Sequence, residues 1–197
     1  MSIWGHNHYG KGKGAWPFFR LQKIFSPQAQ MGPNHIGWGW KEPNSHLLIK
    51  MMARHFNNFK YIHTIRHGLD MAFSKNQQQL FNWHSLYGVK KPLSTAEIPT
   101  ASFKFWLRAN RKIMQQGDRL GPERFLVINF ENLCLHPEQE VKKILSFLKI
   151  TPSREILQTC CAIPQKPKSM GRFRSHDLSL FDRDDLNKLT SFDFSAT

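Results

Sequence analysis

Two short apolar runs, Lys60-Tyr61-Ile62-His63-Thr64-Ile65-Arg66 and Phe125-Leu126-Val127-Ile128-Asn129-Phe130, constrain this chain more than any other feature. Each is rich in β-branched or aromatic residues and too short for a stable helix, so both read as strands. The second is apolar at nearly every position, as a buried strand of a parallel sheet is. Helical spacing takes over between and after them. Residues 101 to 116 set Phe103, Trp106, Leu107, Ile113 and Met114 on one face. Pro137 opens another helix through Val141, Ile144, Leu145 and Leu148. Strands alternating with helices predict an α/β fold with a parallel sheet. Two strands do not sustain such a sheet, so the pattern implies further strands in the first third of the chain or the loss of part of the domain.

The remaining segments are weaker. Ser45, after Pro43, is placed to cap a helix bearing Leu47, Leu48, Met51, Met52 and Phe56. His67-Gly68 reads as a turn, and Asp70 as the cap of a helix with Met71, Ala72, Phe73 and Leu80. Short helices are expected near residues 18–25, 154–161 and 184–189, and a basic loop from Lys166 to Arg174. Residues 1–37 read as irregular, within a single domain spanning 1–197. No stretch approaches the roughly 18 apolar residues of a membrane span, and Met1 to Gly14 lack the apolar run of a secretory signal. Cys134, Cys160 and Cys161 are too few for a disulfide framework or a zinc site. Cys160-Cys161 reads as a buried apolar pair, and a reducing, cytoplasmic setting is expected.

Charge narrows the choice of partner. Lys and Arg total 28 against 14 Asp and Glu, a formal net charge of +14. That excess favours a polyanion or a phosphorylated small molecule. The cations are dispersed rather than bunched, which fits a folded anion-attracting surface better than a disordered basic arm.

The segment Lys60 to Ser74 gives that charge a place. Arg66 stands at the carboxyl end of the first strand, where α/β proteins bind ligands. Its planar fork of donors suits a phosphate. Ser74, eight residues on, is expected in the first turns of the next helix, where a hydroxyl and backbone N–H groups could hold the same anion from a second side. The residues by themselves favour the plainer reading, in which Arg66 pairs with Asp70 beside an ordinary helical serine.

Arg66 and Ser74 with Asp70 between them resemble the 3′-phosphate motif of sulfotransferases that use 3′-phosphoadenosine 5′-phosphosulfate (PAPS). His67-Gly68 stands where that family usually has Asp-Pro, away from its cytosolic small-molecule branch. Gly39-Trp40-Lys41-Glu42-Pro43 resembles the Lys-Asp/Glu-Pro segment of bacterial and Golgi-type members. Phe130-Glu131-Asn132-Leu133, with His136-Pro137 after it, is similar to the family's Tyr-Glu-Asp-Leu strand end and following helix. Ser169-Met170-Gly171-Arg172-Phe173-Arg174 resembles its late Gly-Arg loop. The matches keep the family's order over 38–175.

The resemblance implies a three-layer, P-loop-NTPase-like fold and transfer of a sulfuryl group from PAPS to a hydroxyl or amine of a small-molecule or glycan acceptor, with no metal required. It places Arg66 and Ser74 on the 3′-phosphate, Phe130 near the adenine, Arg172 on the phosphate from the closing loop, and Lys41 at the phosphosulfate bridge. Nothing in the sequence reads as the family's Gly-rich 5′-phosphosulfate loop. Gly5 to Gly12 imitates it without a feeding strand or a Ser/Thr hydroxyl. The chain therefore resembles a sulfotransferase truncated at its N-terminus, and weak or no turnover is expected of it as given. His6 and His8 lack a third metal ligand nearby. His46, His63, His67 and His84 are candidate bases, with His63 packed on the strand and His67 and His84 able to face a cleft. The alternative is a non-catalytic basic protein binding nucleic acid or an acidic glycan through a stretch such as Phe103 to Lys112. That stretch is better explained by one core face and one solvated face, which disfavours nucleic acid.

Overall fold

The computed structural model describes residues 37–196. The helix expected near 18–25, the Gly5 to Gly12 loop, His6 and His8 lie outside them. The chain divides into two compact units, 1–47 and 48–197.

In the first unit, residues 40–47 form a tight turn. Glu42 Oε1 accepts from the Asn44 backbone at 3.3 Å and from Asn44 Nδ2 at 2.9 Å. Ser45 does not cap a helix. Its hydroxyl instead accepts Trp40 Nε1–H at 3.0 Å, and Ser45–Leu47 is a single 3₁₀ turn.

The second unit opens with α1 (Ile49–His55), whose N-cap Leu48 supplies no side-chain bond. Strand β1 (Tyr61–Ile65) follows, then α2 (Gly68–Ala72) and α3 (Gln78–Trp83). Asp70 does not cap α2. His67 does, its Nδ1 accepting Leu69 N–H at 3.2 Å. The single helix expected from Asp70 to Leu80 is two helices, because the buried side chain of Gln77 donates to the carbonyls of Met71, Ala72 and Ser74 and closes α2 early.

Helix α4 (Ile98–Leu120) is longer than its apolar stripe suggested and ends at Gly121, whose φ is +76°. Strand β2 (Phe125–Asn129) leads straight into α5 (Phe130–Leu135), so Phe130 begins a helix instead of ending the strand. Helices α6 (Pro137–Leu148) and α7 (Arg154–Ala162) follow. Loop 166–174 then leads through a 3₁₀ turn, Arg172–Ser175, to α8 (Arg183–Asn187) and a last 3₁₀ turn, Lys188–Phe192.

Among the described residues the sheet is β1 paired parallel with β2, Ile65 opposite Asn129. Helix α4 covers the face bearing His63 and Phe125. His63 Nε2 lies 2.8 Å from Asn110 Oδ1, and the Phe125 ring packs against Gly117 where a Cβ would stand. Thr64, on the opposite face, is exposed. The core joins Ile65, Leu69 and Ala72 to Phe103 and Trp106 of α4 and to Phe173, Phe181, Phe192 and Phe194 from the C-terminal segment. Helix α2 approaches α4 closely enough that a Cβ on Gly68 would lie 2.7 Å from the Trp106 ring. Cys160 and Cys161 are half-buried free thiols on α7, not a buried pair. No helix among the described residues is long and apolar enough to cross a membrane.

Candidate functional site

The site is built at the carboxyl end of β1. Pairing with β2 stops at Ile65, so Arg66 leaves the sheet there, and its own carbonyl is taken by Trp106 Nε1–H at 3.0 Å. That bond fixes the backbone from which the guanidinium projects. The Arg66 side chain is 24% exposed. Its Nη2 donates to Ser169 O at 3.0 Å and to Ser169 Oγ at 2.9 Å. Asp70 Oδ2 lies 3.6 Å from Nη2, and Glu131 Oε1 lies 4.0 Å from Nε. The guanidinium also sits over the Phe130 ring, 5.2 Å from its centroid, a cation–π arrangement. The pairing of Arg66 with Asp70 that the sequence allowed is thus present. Arg66 Nε is buried without a hydrogen-bond partner, and so is Glu131 Oε2. Such orphans are costly unless a further partner completes them.

Loop 169–174 supplies a second cation. Arg172 Nε donates to Ser169 O at 3.2 Å, the same carbonyl that Arg66 uses, and Arg172 Nη1 reaches Phe73 O at 3.4 Å. Two guanidiniums therefore converge on one oxygen, and Asp70 and Glu131 stand as counter-charges to Arg66. Ser74 follows Phe73, so Arg172 also ties the loop to the neighbourhood of the serine. Ser74 is half-buried but not in the first turns of a helix; it lies just past the end of α2, its hydroxyl accepting Asn76 N–H at 3.3 Å. Gln77 makes that early helix end and gives no sign in the sequence beyond its polarity.

His67 is part of the scaffold, not a base facing a cleft. It is 8% exposed, Nδ1 caps α2 and Nε2 lies 2.8 Å from Ser195 O, so the imidazole that fits is the neutral Nε2–H tautomer. Burial pushes its pKa down, and the backbone bond to Ser195 opposes that shift. Its backbone N–H is held by Glu131 Oε1 at 3.1 Å, and its ring stacks on Phe173 at 4.4 Å. His84 Nδ1 is committed to Val89 O at 2.9 Å, and His46 Nδ1 to Pro43 O at 2.8 Å in the first unit. Lys41 is an exposed residue of that same first unit. In the Phe103 to Lys112 stretch, Phe103, Phe105 and Trp106 are buried and offer no stacking surface.

Sequence reasoning left out Ser169 and Glu131 as partners of Arg66, and Asp70 as the anchor of the loop. Glu131 and Ser169 carried one signal each, standing inside segments already of interest, but the contacts span 65 residues or more and have no local signature. Chemically, the cluster gathers two guanidiniums at the end of β1 and sets the carboxylates of Asp70 and Glu131 beside Arg66.

A family model described as the sulfotransferase family matches residues 10–154, well over half of the chain. Lys41, Arg66, Ser74 and Phe130 fall inside that range and Arg172 outside it. No curated protein matches. Among solved structures, the "Sulfotransferase Domain from the Curacin Biosynthetic Pathway" aligns with a TM-score of 0.47 and 22% identity, covering 79% of this chain and 49% of that one. The chain thus spans about half the length of that structure.

Proposed function

The chain belongs to the sulfotransferase family, and from that premise we propose that its strand-end cluster binds the 3′-phosphate of PAPS for transfer of a sulfuryl group to a hydroxyl or amine. The observation that carries this reading is the convergence of Arg66 and Arg172 on Ser169 O, with Arg66 Nε left without a hydrogen-bond partner, 4.0 Å from Glu131 Oε1. A phosphate entering there gains two charge-assisted donors. The residues fit the group: Arg66 offers Nε from the strand, Arg172 offers a guanidinium from the loop, Ser74 adds a hydroxyl, and Phe130 places a ring beside Arg66 for a base to lie against. PAPS supplies the activated sulfuryl group. Lys41 is the proposed cation for the charge that develops on the leaving phosphate, and the acceptor's proton passes to a base outside the histidines already committed to the scaffold.

Calorimetric titration of the full chain with adenosine 3′,5′-bisphosphate tests the reading. Binding is expected in the unaltered chain and a loss of roughly ten- to a hundredfold in Arg66→Ala, the worth of one to two charge-assisted bonds. Equal binding by Arg66→Ala, or none by the folded unaltered chain, would sink it.

A further inference from the structure

We propose that Asp70 is a positioning residue of this site: without touching the ligand, its carboxylate locks loop 169–174 in the register that aims Arg172 at the end of β1. The proposal rests on the 3′-phosphate reading above and adds to it the part that orders the loop.

Asp70 is 1% exposed. Oδ2 accepts Gly171 N–H at 2.7 Å and Oδ1 accepts Phe173 N–H at 3.2 Å. These two amides flank Arg172, so the carboxylate grips the peptide units on either side of it. Charge-assisted bonds of this kind are short and about twice as strong as neutral ones. Gly171 sits at φ +77°, and a Cβ there would lie 2.5 Å from Arg174 Nη1. The turn that presents both amides to one carboxylate thus depends on glycine. Phe173, 1% exposed, anchors the far side in the core. The guanidinium of Arg66, 3.6 Å away, balances the buried charge. Asp70 does nothing for its own helix, because His67 fills the cap of α2. A buried carboxylate whose two hydrogen bonds both go to a loop 101 to 103 residues distant serves that loop.

Asp70→Asn keeps the shape but turns an NH₂ donor toward one of the two amides. The experiment is a double-variant cycle on the full chain, with affinity for adenosine 3′,5′-bisphosphate measured for the unaltered chain, Asp70→Asn, Arg172→Ala and the pair. Arg172→Ala is expected to weaken binding about tenfold or more alone and less than about twofold in the Asp70→Asn background, since a released loop no longer presents Arg172. Equal factors in both backgrounds overturn the proposal, because a general loss of structure would leave the two effects independent. Amide exchange separates this from failure of the binding reading. With or without a ligand, Asp70→Asn should speed exchange at Gly171 and Phe173 at least about tenfold and leave β1 and β2 unchanged. No change at those two amides overturns the latch; a changed latch with no bisphosphate binding overturns the 3′-phosphate reading alone. If Asp70→Asn does not fold, Asp70→Glu, which retains the charge and displaces both oxygens, carries the same cycle.

Discussion

Replacing Gly68 by alanine asks whether local propensity or tertiary packing governs the turn that follows β1. By local rules the change is favourable. Gly68 begins α2 and is not among the positive-φ residues, so alanine fits its backbone and stabilises by about 0.4–1 kcal/mol through the unfolded chain. The packing says otherwise. A Cβ at this position lies 2.7 and 2.8 Å from two atoms of the Trp106 ring and 3.0 Å from Phe103 Cε2. Ordinary carbon contacts begin near 3.5 Å, so one element must move by roughly 0.7 Å. The ring is not free to give way, because Trp106 Nε1 is bonded to Arg66 O and the indole is wedged against Phe192 with centroids 5.0 Å apart. Overpacking of this kind costs about 1–3 kcal/mol. The net expectation is destabilisation by about 1–2 kcal/mol, a fall in Tm of roughly 2–8 °C for a chain of this size. Thermal melts followed by circular dichroism measure it, with bisphosphate affinity read on the same samples. Affinity is expected to fall as well, since displacing Trp106 drags the carbonyl of Arg66. In a Trp106→Phe background the cost of Gly68→Ala should shrink. An unchanged or higher Tm for Gly68→Ala would refute the reasoning, because it would mean that α2 and α4 slide apart freely.

Two shorter predictions accompany those for Arg66 and Asp70. His67 is held neutral in the folded chain, with burial lowering its pKa and Arg174 adding to that effect against Asp70, Glu131 and the Ser195 carbonyl. The unfolded chain, with the ordinary value of 6.5, takes the proton first. The stability this group contributes is therefore complete above about pH 6.5 and lost as pH falls below it. Melts from pH 7.5 to 5 should show a steeper loss in the unaltered chain than in His67→Asn, and parallel curves would contradict the assignment. Asn129→Ala removes the Oδ1 that accepts Asn132 N–H at 3.0 Å at the start of α5, and urea unfolding should register a loss of about 1 kcal/mol. A change within a few tenths would show that α5 is held by its contacts instead of its cap.

Much of the scaffold was legible because its signals are local. The β-branched run before Arg66 and the apolar run before Phe130 specify strands through the steric preferences of adjacent residues, and both strands appear within a residue of their expected ends. The stripe Phe103, Trp106, Leu107, Ile113 specifies the buried face of α4 through a 3.6-residue period. Errors fell where a polar side chain could choose among partners. Asp70, Ser45, Gln77 and His67 each have several locally acceptable uses, and which one is realised depends on groups the neighbouring sequence does not contain. Asp70 could have capped α2; it anchors a loop instead because His67 caps first and Gly171 and Phe173 arrive with unsatisfied N–H groups.

What the sequence determined by itself was the order of elements, the parallel class of the sheet and the position of Arg66 at a strand end, since all three follow from the periodicity of neighbouring residues. The tertiary structure alone decided that Arg66 and Arg172 share one carbonyl, that Glu131 and Asp70 balance Arg66, and that Ser74 lies beyond a helix rather than within one. The physical reason is that side-chain bonds a hundred residues apart form only after the core has brought the strand end and the late loop together.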